Sequence, residues 1–198
     1  MTTALNDSLK WWPTIRVKKY DAGLLEEITH DFGLTREPNG LVLDYLERNH
    51  GVMPSRILDA EGNSLVNTGL QRVSDLIIGS GAQAFTTSRG MTGVGDSSTA
   101  FAVTQTTLVA GTNTLYKAID SAPGSATGVI TAQTTYQTGD ANYAWNEWCL
   151  AIATAAPVSS SSFSTATTSG IMLNRKVQSL GTKVSTAVWV LQVTVTQA

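Results

Sequence analysis

The acidic residues of the C-terminal two thirds are the first candidates for chemistry: Asp75, Asp96, Asp120, Asp140 and Glu147. Glycoside hydrolysis needs two carboxylates facing one cleft, which makes Asp140 and Glu147 the pair to weigh, although no separation between them can be read from sequence. Turn formation accounts for Asp140 and Asp96. Glu147 lies mid-strand between Trp145 and Trp148, and a buried partner such as Arg175 or Lys176 explains it more simply than catalysis. The last histidine is His50, so the region that follows has no base for a Ser-His or Cys-His dyad. His30 and His50 lack paired ligand spacing and fit solvated or capping roles. Cys149 is the single cysteine, which excludes an intramolecular disulfide and fits a thiol packed in a strand. No catalytic residue, cofactor or metal is expected, and the chain does not read as an enzyme.

Two further features invite a ligand. Gly90, Gly93 and Gly95 crowd the stretch Arg89 to Ala100, where glycine signals positive φ or close backbone approach. Position 98 is Ser, so no G-x-G-x-x-G is completed, and no basic residues support a phosphate loop. The stretch reads instead as a packed structural turn. The aromatics Tyr136, Tyr143, Trp145 and Trp148 would suit glycan stacking if exposed, but on alternating strands they fit a core.

These residues must be positioned by a β-rich framework. Runs at 115–120, 129–136, 143–152, 171–177 and 188–195 are β-branched or aromatic and are separated by Gly, Pro, Asn and Ser, with turns expected at Pro123-Gly124 and Gly139-Asp140. The pattern predicts a mainly β fold, an antiparallel sandwich or barrel. Leu70, Val73, Leu76 and Ile77 share one helical face, which predicts one short helix capped by Asn67 or Thr68, stopped at Gly79, and laid with its apolar stripe on the sheet. Thr14 to Tyr20 alternates as an edge strand with Lys and Arg outward. Residues 24–48 hold helical pieces too short to stand without tertiary support. Residues 1–62 therefore read as a charged N-terminal arm or small subdomain, and 63–198 as the β-domain. Ser159 to Ser162 and Thr165 to Ser169 form a Ser/Thr-rich connection.

Charge divides the chain unevenly. Residues 1–65 hold seven of the 13 Lys+Arg and ten of the 15 Asp+Glu. The remainder has Ser, Thr, Ala and Gly where an ordinary surface carries Lys and Glu, which suits a face covered by neighbouring subunits. A net charge of −2 gives no attraction to nucleic acid. No apolar run reaches the length of a membrane span, and the N-terminus lacks a signal-peptide pattern. Synthesis in a cytosol is expected, with no membrane or nucleic-acid partner.

Several pieces, in order, resemble a family of tailed-bacteriophage virion structural proteins of tail-fibre-like or decoration type. They are Leu65 to Arg72, Gly93 to Ala100 with Gln105 to Leu108, Asp140 to Trp148, Met172 to Lys176, and Leu180 to Lys183. The resemblance covers about residues 63–198 and picks out Gly93, Gly95, Asp96, Trp145, Glu147, Trp148, Asn174 and Arg175 as structural motif residues; it implies that Gly93 and Gly95 allow a tight backbone crossing, that Asp96 accepts the N–H groups of the following Ser and Thr, and that Glu147 pairs with Arg175 or Lys176 across strands. It implies a virion protein made in the host bacterial cytoplasm and assembling in many copies on capsid or tail, as a trimer or other symmetric oligomer. The arm would then attach it to major capsid or tail proteins. The rival expectation is a receptor- or glycan-binding module of the tail.

Overall fold

A computed structural model of the chain describes residues 11–62, 64–110, 112–154, 162–164 and 170–197. The Ser/Thr-rich connection lies mostly outside them. In chain order the described elements are β1 (Trp11–Tyr20), α1 (Ala22–Asp31), α2 (Gly40–His50), β2 (Arg56–Glu61), β3 (Ser64–Leu65), α3 (Asn67–Ile77), β4 (Gly90–Gly95) and β5 (Thr114–Ala118). There follow β6 (Gly124–Ala126), β7 (Val129–Tyr136), β8 (Ala144–Ala153), β9 (Ser162–Ser164), β10 (Gly170–Met172), β11 (Asn174–Thr182) and β12 (Val188–Gln197). They form two antiparallel sheets, ordered β2-β1-β12-β7-β6 and β3-β11-β8-β4-β5-β9, with β10 also on β8. The fold is mainly β and consistent with a β-sandwich, as the strand periodicity predicts.

Alternation sorts each strand between layers. On β12, Trp189, Leu191, Val193 and Val195 enter the core between the sheets, while Val188 and Val190 join Tyr20, Leu25, Ile28, Leu43 and Leu46 beneath α1 and α2. On β8, Trp148, Leu150 and Ile152 face the same inter-sheet core, and Cys149, Ala151 and Ala153 face outward into a second cluster with Met91, Leu108 and Tyr116. Both sheets are thus covered on both faces at their centres, so central strands lose the apolar-polar rhythm of half-exposed ones.

The helix count exceeds the sequence expectation: the described residues form three. α1 and α2 gain tertiary support from the first sheet, and each has a side-chain cap, Asp21 accepting from Leu24 N and Asn39 from Val42 N. β1 is not an edge strand, because β2 and β12 pair on its two sides. Lys18 consequently points under α2, where its Nζ donates to Asp44 Oδ1 at 2.9 Å and Glu47 Oε2 at 2.5 Å. The N-terminal stretch contributes two strands, β1 and β2, to the same sheet as β7 and β12. After Gly62 the chain crosses sheets, and β3 pairs with β11 of the other sheet. The turn expected at Pro123-Gly124 falls later, with Gly128 at φ +70° between β6 and β7.

α3 forms where the apolar period places it and ends in a Schellman motif, Gly79 N donating to Leu76 O and Ser80 N to Asp75 O. Its orientation differs from expectation. The buried positions are Gly69 and Arg72, and Leu70, Leu76 and Ile77 are exposed. Neither Asn67 nor Thr68 caps it; Val66 is the N-cap, without a side-chain bond. Thr68 Oγ1 instead donates to Met172 O at 2.8 Å, and a Cβ on Gly69 would lie 2.0 Å from Leu173 O. The helix therefore meets the β10–β11 backbone by close approach and hydrogen bonds.

Candidate functional site: a buried ion pair beneath the 96–113 loop

Gly93-Val94-Gly95 is strand, not turn. All six residues of β4 are buried, and none of its glycines has positive φ. Their spacing of two puts Gly93 and Gly95 on one face, where absence of a side chain makes room. A Cβ at Gly93 would meet Cys149 Sγ and the Tyr116 ring at 2.8 Å, and one at Gly95 would meet Glu147 Oε1 at 2.6 Å and Ala110 Cβ at 3.0 Å. Strand register puts Gly95 opposite Glu147 and Gly93 opposite Cys149. Gly95 leaves the slot that admits the Glu147 carboxylate, and Gly93 leaves room for the Tyr116 ring.

Glu147 and Arg175 occupy that slot together, both side chains 0% exposed, with Arg175 Nε 2.6 Å from Glu147 Oε2. Each half of the pair also holds the segment that follows β4. Glu147 accepts from Val109 N and Ala110 N at 3.0 and 2.8 Å. Arg175 donates to Gln105 Oε1 and Thr99 O at 2.9 Å each. Tyr116 adds a third tether, its hydroxyl accepting from Leu108 N at 2.9 Å. Lys176 does not join the pair, since its Nζ donates to Glu61 O at 3.1 Å. Two buried charges thus satisfy one another and clamp residues 96–113 against the outer face of the second sheet.

The other motif residues distribute around this centre. Asp96 does not accept from the following Ser and Thr; its Oδ2 accepts from Asn113 Nδ2 at 2.6 Å and its carbonyl from Asn146 Nδ2 at 3.0 Å. Asn174 repairs the break between β10 and β11, where its Oδ1 accepts from Leu150 N at 2.6 Å. Trp145 and Trp148 lie on the opposite side of the sheet, in the inter-sheet core. Trp145 stacks edge-on with both Tyr136 and Trp189, at 4.7 and 4.8 Å between centroids. These buried rings offer no face to a glycan. Asp140 pairs with Lys117 rather than with Glu147. Burial raises the pKa of the Cys149 thiol well above its ordinary value, which holds it neutral and unreactive.

Gln105, Asn113 and Tyr116 belong to the network as well, and Lys183 is buried in a separate set of bonds. Gln105 and Lys183 sit inside the motif stretches, but nothing in their spacing marks them as buried. Lys183 Nζ donates to Gln137 O at 2.7 Å and Asn142 Oδ1 at 3.0 Å. Burial lowers its pKa from 10.5 to about 8, opposed by the charge of Asp140. Between those two values the unfolded chain binds more protons than the folded one, so this residue's contribution makes stability rise with pH over that window. Comparing wild type with Lys183→Met in thermal melts at pH 7 and pH 10 should show the difference shifting in favour of wild type at the higher pH. Subtracting the variant removes the opposite trend of the buried tyrosines.

A separate polar cleft of about 730 Å³ lies beside the N-terminus of α2, lined by Arg36, Asn39, Lys117, Asp120, Thr135 and Gln137 among others. Within it Gly40 N donates to Thr135 Oγ1, which donates to Asp120 Oδ2, each at 2.6 Å. Burial raises the Asp120 pKa, and its bonds from Thr135 counter the shift. The relay docks α2 on β7.

Charge placement separates the two parts of the surface. Eleven charged residues follow position 65. Arg72, Lys117, Glu147, Arg175 and Lys183 are buried, and the other six are half-buried, so none projects fully into solvent. Residues 11–62, by contrast, expose Arg16, Glu26, Glu27, Arg36, Arg48 and Asp59. No family model, curated protein or solved structure matches the chain.

Proposed function

We propose that the chain is a bacteriophage virion structural protein that assembles in multiple copies on capsid or tail, as a decoration or fibre-type component. The observation that carries this reading is the sparsely charged surface of the described residues after position 65, whose charges are all buried or half-buried, beside the charged one of residues 11–62. Interfaces between subunits are depleted of charge at their centres, because each buried charge must be desolvated. The motif residues on which the virion resemblance rests fit the same role. Glu147, Arg175, Gly93 and Gly95 direct their bonds and contacts inward, as suits a subunit whose shape must be reproduced in every copy. The charged face formed by β1, α1, α2 and β2 is then the side turned to solvent or to other virion proteins.

Mass-spectrometric counting of this chain in purified particles tests the reading. Hundreds of copies place it on the capsid surface, and a few to about twenty place it in tail, collar or baseplate. Its absence from particles overturns the proposal, and binding of the isolated protein to a host-glycan array without binding to assembled capsids or tails replaces it with the receptor-binding alternative.

A further inference from the structure

We infer that the outward face of α3 is the surface through which two copies of this chain meet, α3 packing antiparallel on its own counterpart across a two-fold axis. The inference rests on the multi-copy reading above and names the contact it requires. α3 is an amphipathic helix set with its apolar face outward. Leu70, Val73 and Ile77 run along a stripe roughly 100° around the helix from Gly69 and Arg72, which face the sheet. Ile77 and Ile78 are 78% and 76% exposed, and Leu70 is 51% exposed. Val103 extends the stripe at the helix N-terminus, where Asn67 N donates to Val103 O at 2.8 Å, and it too is exposed. An apolar helical face is ordinarily buried against a neighbour.

This orientation is built in. Gly69 admits the Leu173 carbonyl where any side chain would collide. Arg72 donates to Gln83 O and Gln83 Oε1 at 3.2 Å each. Rotating the helix to bury Leu70 and Ile77 would break both arrangements, so the seating of α3 holds the stripe off the sheet.

A second copy is the occupant that charge and area favour. The only charged side chain of α3 outside the sheet contact is Asp75, and Gln71 Nε2 already donates to its Oδ1 at 2.8 Å. Asp75 and Gln71 lie on the opposite side of α3 from the Leu70–Ile77 stripe, so an antiparallel pair centred between Val73 and Ser74 places no charge in the contact. The five aliphatic side chains expose several hundred Å², roughly half of the ~800 Å² per partner that a standard interface buries. Ser74 and Ser80 supply an uncharged rim. An isologous contact also closes on itself, so it yields a discrete dimer and not a fibre.

Sedimentation equilibrium of the full chain at 1–100 µM, a range of about two decades, tests this. Wild type should dimerise, and Ile77→Asp should weaken dimerisation at least tenfold while leaving the melting transition of the monomer in place; Leu70→Lys is the second variant should the first fail to fold. Ser74→Cys, beside the axis, should form an intermolecular disulfide under oxidation, since native Cys149 is buried. A wild-type monomer throughout the range, or a dimer indifferent to both substitutions, overturns the inference. If such a monomer is nonetheless found in many copies on particles, only the α3 contact fails and the virion reading stands.

Discussion

Glu147→Gln is expected to melt about 10 °C below wild type, from a loss of roughly 3–5 kcal/mol converted at ~2–4 °C per kcal/mol for a domain of this size. The magnitude follows from what is left behind. Arg175 keeps its charge at 0% exposure with its counter-ion gone. The new amide has one acceptor and one donor end, and the donor must face either Arg175 Nε or the N–H groups of Val109 and Ala110 that now donate to Glu147. Either orientation sets donor against donor. The double variant Glu147→Gln/Arg175→Met should recover part of the loss, because an uncharged pair no longer buries a lone cation. Hydrogen exchange gives the local readout: Val109 and Ala110 amides should lose protection before the β8 core does. Unchanged melting and unchanged protection would show that the pair does not brace the 96–113 loop.

Gly69→Ala is the second large effect. Alanine favours a helix over glycine by about 0.5–1 kcal/mol, so on local grounds the substitution stabilises α3. Packing reverses the sign, since the methyl would sit 2.0 Å from Leu173 O and 2.7 Å from its carbonyl carbon. Backbone cannot swing aside as a side-chain end does. The helix must lift, losing the bonds from Val66 N to Leu173 O and from Thr68 Oγ1 to Met172 O. A net destabilisation of about 2–3 kcal/mol is expected, with new protease cleavage around residues 66–80. A variant as stable and as resistant as wild type would mean that α3 is not seated by this contact.

The two substitutions also mark where sequence reasoning succeeded and where it could not. The strands were legible because β1 alternates apolar with polar residues while β7, β8 and β12 are β-branched or aromatic runs bounded by Gly, Pro, Asn and Ser, and a lone carboxylate between tryptophans pointed to a buried partner. Gly93 and Gly95 misled because glycine has two uses. Its freedom at positive φ suggests a turn, but the spacing of two is strand spacing, and in β4 the residue matters for its missing side chain. The α3 stripe was legible as a helix and silent about direction: periodicity identifies the apolar side without saying what lies opposite. Gly69, inside the helix, was the overlooked signal for a close backbone contact. β1 looked like an edge strand because its charged residues imply solvent, whereas Lys18 is neutralised by carboxylates from α2, far off in sequence.

The position of β1 between β2 and β12 also governs how the molecule comes into being. Trp11 is paired with Gln197 and Tyr20 with Val188, so the most N-terminal described strand waits for the most C-terminal one before the first sheet can close. Contacts of such long range slow the search for the native state. A ribosome-bound nascent chain still lacking β12 carries β1 without its neighbour, with Ile15 and Val17 open to mispairing or to a chaperone. The same adjacency suits circular permutation: a short linker joining the ends of β1 and β12, with new termini opened between β6 and β7, would turn the slowest contact into a local hairpin and should speed refolding.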